Sequence, residues 1–218
     1  MTKPRQIETN RGIQGEFNVF IYDQMLRRLR DKGWMETKDM IQSGITQGLA
    51  LEIGPGPGYL GLEWLSKTEN TKLKGLDISP DMIQIAQRNA EAYGLTDRVS
   101  YVQSSGAQMP FDANQFDAVF TNGSLHEWQD PVQTFSEIRR VLKPGGRVFI
   151  SDLRRDMPVL MKWFLWFNSR PKEIRPGLLT SIAAAYTVKE LQELMQQVEF
   201  SDCQVTGNVL GLKITGSK

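Results

Sequence analysis

The chain has 218 residues, 26 Lys+Arg against 25 Asp+Glu, a formal net charge of +1 and 40% hydrophobic residues. That profile fits one globular domain with a proper core, and so even a charge balance argues against a broad basic face that wraps nucleic acid. One cysteine, Cys203, excludes an internal disulfide, and with His126 as the single histidine no metal site is expected.

Residues Met1 to Asn10 are polar and carry no apolar signal core. No run approaches the roughly 20 apolar residues of a membrane span, so a soluble, cytoplasmic protein is expected. From Glu16 to Asp31, Phe17, Phe20, Ile21, Met25 and Leu29 recur at helical spacing and predict an amphipathic helix. Gly33, Gly44 and Gly48 punctuate a connection to a short apolar strand, Leu49 to Ile53. A helix over Leu62 to Lys67 and a strand over Leu73 to Asp77 follow. Ser79-Pro80-Asp81 opens a helix that Gly94 stops, with Ser79 as N-cap. Strands are predicted at Val99 to Gln103, Phe116 to Thr121 and Arg147 to Ser151, with a helix from Asp130-Pro131 to the Lys143-Pro144-Gly145-Gly146 turn. Strands alternating with helices imply a parallel sheet covered on both faces. Thr187-Val188-Lys189-Glu190 is a capping box before a helix. Asp202 to Thr206 and Val209 to Ile214, separated by Gly207-Asn208, read as an antiparallel hairpin.

The strongest motif is Glu52-Ile53-Gly54-Pro55-Gly56-Pro57-Gly58, which leaves a strand and enters a helix. Glycines there let backbone approach a ligand closely, and ligands of open α/β sheets sit at the carboxyl ends of the strands. The next strand ends in Asp77, placed to accept hydrogen bonds from both hydroxyls of a ribose. Together they read as a site for an adenosine-containing cofactor. Tyr59 fills the third glycine position of a nicotinamide fingerprint. Glu52 before the loop suits a cationic methionine end better than a pyrophosphate.

Four blocks in this order resemble the class I S-adenosylmethionine-dependent methyltransferases, the small-molecule and quinone-biosynthesis branch. They are Leu51 to Gly58, Gly75 to Met82, Met109-Pro110-Phe111 with Phe116 to Val119, and Leu142 to Gly146. The resemblance implies an α/β, three-layer Rossmann-like fold whose mostly parallel seven-stranded sheet ends in an antiparallel C-terminal hairpin. It implies S-adenosylmethionine as cofactor. It places Glu52 near the methionine amino group and the backbone of Gly54, Gly56 and Gly58 against the cofactor. Asp77 would hold the ribose, Ile78 and Met82 would flank the adenine, and Asn122 would face the methionine portion. Where family members carry an Asp for the adenine amino group this chain has Ser105, so the backbone of Gly106 and Ala107 takes more of that work.

Methyl transfer from a sulfonium needs positioning and desolvation, and a general base only where the acceptor must lose a proton. His126, after the fourth strand, is the first candidate base, with Glu127 behind it. Tyr22 and Tyr186 are candidate substrate contacts. Four segments are expected: an N-terminal helical cap (1–48), a cofactor-binding core (49–152), a substrate lid (153–186), and a C-terminal helix and hairpin (187–218). The lid is rich in aromatic residues and arginines. It reads as a cover for an apolar or aromatic small-molecule substrate, a membrane-surface contact through 157–167, a dimer interface, or a helix packed on the domain. A macromolecular methyltransferase is disfavoured, because Thr121-Asn122-Gly123-Ser124 stands where an Asn/Asp-Pro-Pro-Tyr motif would lie. A non-catalytic cofactor-binding module is the other alternative, and the intact loop and Asp77 speak against it.

Overall fold

A computed structural model describes residues 3–7, 12–198 and 200–218. The polar start read over Met1 to Asn10 therefore lies partly outside the described residues. Seven strands form one sheet: β1 (Gly48–Ile53), β2 (Thr71–Asp77), β3 (Val99–Gln103), β4 (Phe116–Asn122), β5 (Leu142–Leu153), β6 (Ser201–Gly207) and β7 (Gly211–Ser217). Their order is β3-β2-β1-β4-β5-β7-β6. The pairs within β1 to β5 are parallel, and β7 lies antiparallel between β5 and β6. Strand order reverses between β1 and β4, which opens a crevice at their carboxyl ends.

Side chains alternate across this sheet, as the period of two demands. Leu51, Val119 and Ile150 enter one core, and Ala50, Phe120 and Phe149 enter the other. Helices α1 (Glu16–Asp31), α2 (Thr37–Gln42), α3 (Tyr59–Lys67), α4 (Pro80–Tyr93), α5 (Pro131–Val141), α6 (Val159–Asn168), α7 (Arg175–Ala184) and α8 (Val188–Met195) complete the molecule. The expected caps are present. Ser79 Oγ accepts from the Met82 amide, Gly94 ends α4 in the left-handed region, and Thr187 with Glu190 closes a full capping box.

Four expectations are corrected. The connection before β1 holds a short helix, α2. Strand β5 starts at Leu142, and its register with β4 jumps from Phe116↔Leu142 to Ala118↔Arg147, so the Lys143–Gly146 turn is a bulge inside the strand. The hairpin loop spans three residues, because Asn208 Oδ1 accepts from the amides of both Leu210 and Gly211 and delays β7 to Gly211. On α1, Phe17 and Phe20 are exposed while Val19, Ile21 and Asp23 are buried.

Candidate active site

Two cavities adjoin at the carboxyl ends of β1, β2, β4 and β5. The smaller, about 170 Å³, is lined by Gly54, Gly56, Asp77, Ile78, Met82, Ser105, Gly106 and Ala107. Those are eight of the residues predicted for the cofactor. The larger, about 370 Å³, is lined by Glu52, Asn122 and His126, with apolar walls that include Met25, Leu26, Leu60, Phe164 and Leu178. Ile13, Tyr22, Gly54, Gly123 and Glu127 border both.

The loop after β1 is fixed from two sides. The Gly54 amide donates to the Leu76 carbonyl at 2.8 Å. Gly54 has φ +62°, and a Cβ there would stand 2.7 Å from the Ser124 Cβ. Any larger residue would therefore push the loop off the β4 turn while sitting in a strained backbone region. Asp77 Oδ2 accepts from the Gly56 amide at 3.1 Å and Oδ1 from the Ser79 amide at 2.9 Å. Burial pushes the Asp77 carboxyl up, and the Ser79, Gly56 and Ile78 amides draw it back.

Glu52 is buried at the end of β1, and its Oε2 has no hydrogen-bond partner among the described residues. Burial pushes its carboxyl up to about 8; the nearby Asp77 charge adds to the rise and the Gly61 amide opposes it. A buried carboxyl oxygen without a partner costs free energy until a cation or donor meets it.

His126 follows β4 on a single 3-10 turn (Leu125–Glu127) and is buried. Its Nδ1 lies 2.9 and 3.0 Å from the two carboxylate oxygens of Asp152, and its backbone amide donates to Asp152 Oδ2 at 2.8 Å. Asp152 Oδ1 also accepts from the Leu153 amide at 2.7 Å. A carboxylate surrounded by donors is an acceptor only, so it holds the Nδ1–H tautomer and leaves Nε2 basic. Nε2 stands 3.9 Å from Glu127 Oε1.

Some predicted residues fall elsewhere. Gly58 lines neither cavity; it opens α3 against Tyr101 and Ala86. Tyr186 also lines neither. It is buried in the core that contains Leu191 and Met195, with the Arg5 guanidinium 4.2 Å from its ring centroid. Glu52 and Asn122 border the larger cavity only. Residues that sequence reasoning missed include Asp152, Asp130 and the segment Gly12–Ile13. That segment is tied over α4 by the Ser79 hydroxyl donating to the Ile13 carbonyl at 2.6 Å and by the Gly15 amide donating to Asp81 at 2.8 Å. Asp130 carried a signal, since its Asp-Pro pair marks the N-cap of α5.

A family model described as a methyltransferase domain matches residues 51–150. The chain is 34% identical over 116 residues to the uncharacterized methyltransferase YdaC of Bacillus subtilis (strain 168), covering 53% of this chain and 62% of that protein. It is 25% identical over 182 residues to a demethylmenaquinone methyltransferase of Porphyromonas gingivalis, covering 81% of this chain and 74% of the relative. A solved structure from Methanococcus maripaludis, classed as an S-adenosyl-L-methionine-dependent methyltransferase, superposes with a TM-score of 0.76 at 24% identity, over 98% of this chain and 97% of that one. Residues 51–150 carry a methyltransferase domain, and the chain is similar to S-adenosylmethionine-dependent methyltransferases in sequence and in fold. It spans less than two thirds of YdaC.

The residues present fit S-adenosylmethionine, the cofactor named for the similar structure. The orphaned Glu52 Oε2 offers a buried acceptor for a cationic amine, and the small cavity joins an acidic pole at Asp77 to an apolar wall at Ile78 and Met82. Among the described residues no group of three or more His, Cys, Asp or Glu could hold a metal, and no helix is long and apolar enough to cross a membrane.

Proposed function

We propose that this chain transfers the methyl group of S-adenosylmethionine to a small molecule with an apolar or aromatic part, bound in the larger cavity. The supporting observation is the pair of adjoining cavities: one loop-lined with an acidic pole at Asp77, the other larger and walled by apolar side chains, with Tyr22 and Glu127 on their shared border. The ring of a quinone precursor, as named for the Porphyromonas relative, belongs to the class of acceptor such walls suit.

In this reading Asp77 takes the ribose hydroxyls, and Ile78 and Met82 flank the adenine. Ser105, Gly106 and Ala107 meet the adenine edge, and Gly54 and Gly56 give backbone contact. Glu52 takes the methionine amine, with Asn122 beside it. The bound cofactor supplies an activated, electrophilic methyl group. The chain orients the acceptor, excludes water and, where the acceptor carries a proton, removes it. His126 Nε2 is the accepting atom, and Asp152 is a positioning residue that holds the imidazole through Nδ1. Residues 153–186 act as the lid, 1–48 as the cap, and 49–152 with 187–218 as the core. A cytoplasmic setting and the absence of a nucleic-acid partner belong to the same proposal.

The test is methyl transfer from labelled S-adenosylmethionine into a metabolite extract, with wild type beside His126→Asn. Label is expected in an organic-soluble small product, formed about 10²–10⁴-fold more slowly by the variant, with cofactor affinity unchanged. Label confined to macromolecules, or none, overturns the small-molecule reading. Equal rates remove His126 from proton transfer.

A further inference from the structure

Helix α6 has no buried residue. Leu160, Trp163, Phe164 and Phe167 recur at i, i+3, i+4 and i+7, so they share one face. That face points to solvent: Leu160 is 77%, Trp163 55% and Phe167 56% exposed. An apolar stripe of this kind normally faces a core. Its aromatic rings are organised among themselves. Trp163 stacks on Phe167 at 5.7 Å between centroids, and Trp166 meets both edge-on at 6.0 and 5.1 Å.

The segment around α6 is cationic in sequence, and two of its arginines stand at the end of this face. From Met157 to Tyr186 the chain carries Lys162, Arg170, Lys172 and Arg175 against the single acid Glu173. Arg170 and Arg175 converge on the last turn of α6, where both donate to the Phe167 carbonyl, at 2.8 and 3.2 Å. The Arg175 guanidinium also lies 4.1 Å from the Trp166 ring centroid.

We propose that α6 docks on an anionic lipid surface, its aromatic face entering the headgroup boundary and the Arg170–Arg175 cluster meeting lipid phosphates. Charge decides the occupant. A lipid surface with negative headgroups complements both the apolar face and the cationic rim. A two-fold contact with a second copy would cover the apolar face but meet the arginines with a helix that carries no acid. Phe164 is both exposed and part of the larger cavity's wall, and Leu165 and Arg170 line the same cavity. The docked face is therefore the rim of that cavity, which would open toward the bilayer and admit an apolar molecule from it. The docking itself is independent of methyl transfer.

The test is co-sedimentation of the full chain with vesicles of phosphatidylcholine alone and of phosphatidylcholine mixed with phosphatidylglycerol, read without any turnover. Binding to the mixed vesicles is expected to be at least about tenfold tighter and to weaken with salt. Trp163→Ser with Phe167→Ser should lower it at least about tenfold, and Leu160→Glu, at the most exposed position, should do the same without touching the aromatic cluster. No binding to mixed vesicles, or binding that both variants retain, overturns the proposal. So does a wild-type dimer, without vesicle binding, that Leu160→Glu dissociates; that result assigns the face to a second copy.

Discussion

Glu52 stores a proton. Its folded carboxyl titrates near 8 and its ordinary value is 4.5, so between those values the folded chain holds more protons than the unfolded chain. Stability then falls as pH rises through that window and levels off above it. Without cofactor, wild type should lose at least about 5 °C more in Tm than Glu52→Gln between about pH 5 and about pH 9, read by thermal melts. A parallel pH dependence of the two proteins would show that Glu52 is solvated. A cationic amine at Oε2 favours the carboxylate, so cofactor binding should release a proton below about pH 8. Calorimetry in two buffers of different ionisation enthalpy measures that release. The same titration on Asp77→Ala should show affinity lowered about 100-fold or more, because the Gly56 and Ser79 amides lose their acceptor along with the ligand. Glu52 and Asp77 were legible from sequence because each sits in a local strand-end pattern. Asp152 was not. Its meeting with His126 depends on the register that sets Asn122 of β4 beside Ser151 of β5, and register is a tertiary property.

Helix α1 is held by a polar clamp. Asp23 is buried, and its carboxylate accepts from Tyr59 Oη at 2.8 Å, Arg27 Nη2 at 3.0 Å and Asn89 Nδ2 at 3.1 Å. Asn89 also donates to the Pro57 carbonyl at 2.9 Å, so the clamp joins α1, the loop after β1 and α4. Asp23→Ala strands two buried donors and should cost about 3 kcal/mol in urea unfolding. It should also raise the KM for the acceptor, since Tyr22, Met25 and Leu26 reach the larger cavity from the same helix. A cost below about 1 kcal/mol would mean that apolar packing holds the helix instead. The period of the apolar residues marked the ends of α1 correctly and its inward face in part: Ile21, Met25 and Leu29 are covered, but Phe17 and Phe20 are exposed while Val19 and Asp23 are buried. Periodicity reports which side of a helix is apolar, and the rest of the molecule decides which side is covered. Here the covered side includes an aspartate, whose two buried partners, Tyr59 and Asn89, lie 36 and 66 residues away in sequence. The Ser79 cap, the Thr187–Glu190 capping box and the Gly94 stop were readable because their chemistry is complete within one turn.

The sheet order carries the site, and a strap closes the molecule behind it. Residues 3–7 cross the end of α7: Arg5 Nε donates to the Ala184 carbonyl at 2.6 Å, and Nη2 to the His126 carbonyl at 2.9 Å. The Gln6 amide donates to the Ala183 carbonyl at 3.1 Å. Arg155 is the buried centre of this arrangement. It donates to the carbonyls of Lys3 and Ala185 and pairs with Glu190 of the α8 capping box, while its own carbonyl accepts from Lys162 of α6 at 2.8 Å. One residue thus joins the strap, α6, the end of α7 and the C-terminal helix, and its planar guanidinium suits several acceptors at once. Nothing local in the sequence marks Arg155 apart from Arg154, Arg170 and Arg175; only the long-range fold does. Removing it leaves carbonyls unmet and one carboxylate unpaired, yet it touches neither cavity. Arg155→Ala should therefore speed hydrogen exchange at residues 175–186 by about tenfold or more while β1 to β4 exchange as in wild type and cofactor affinity stays within about threefold. Exchange that rises equally across β1 to β4 would mean that α7 and the sheet unfold as one unit. Unchanged exchange at 175–186 would mean that α7 is held by its apolar contacts, chiefly Ile182 and Ala184.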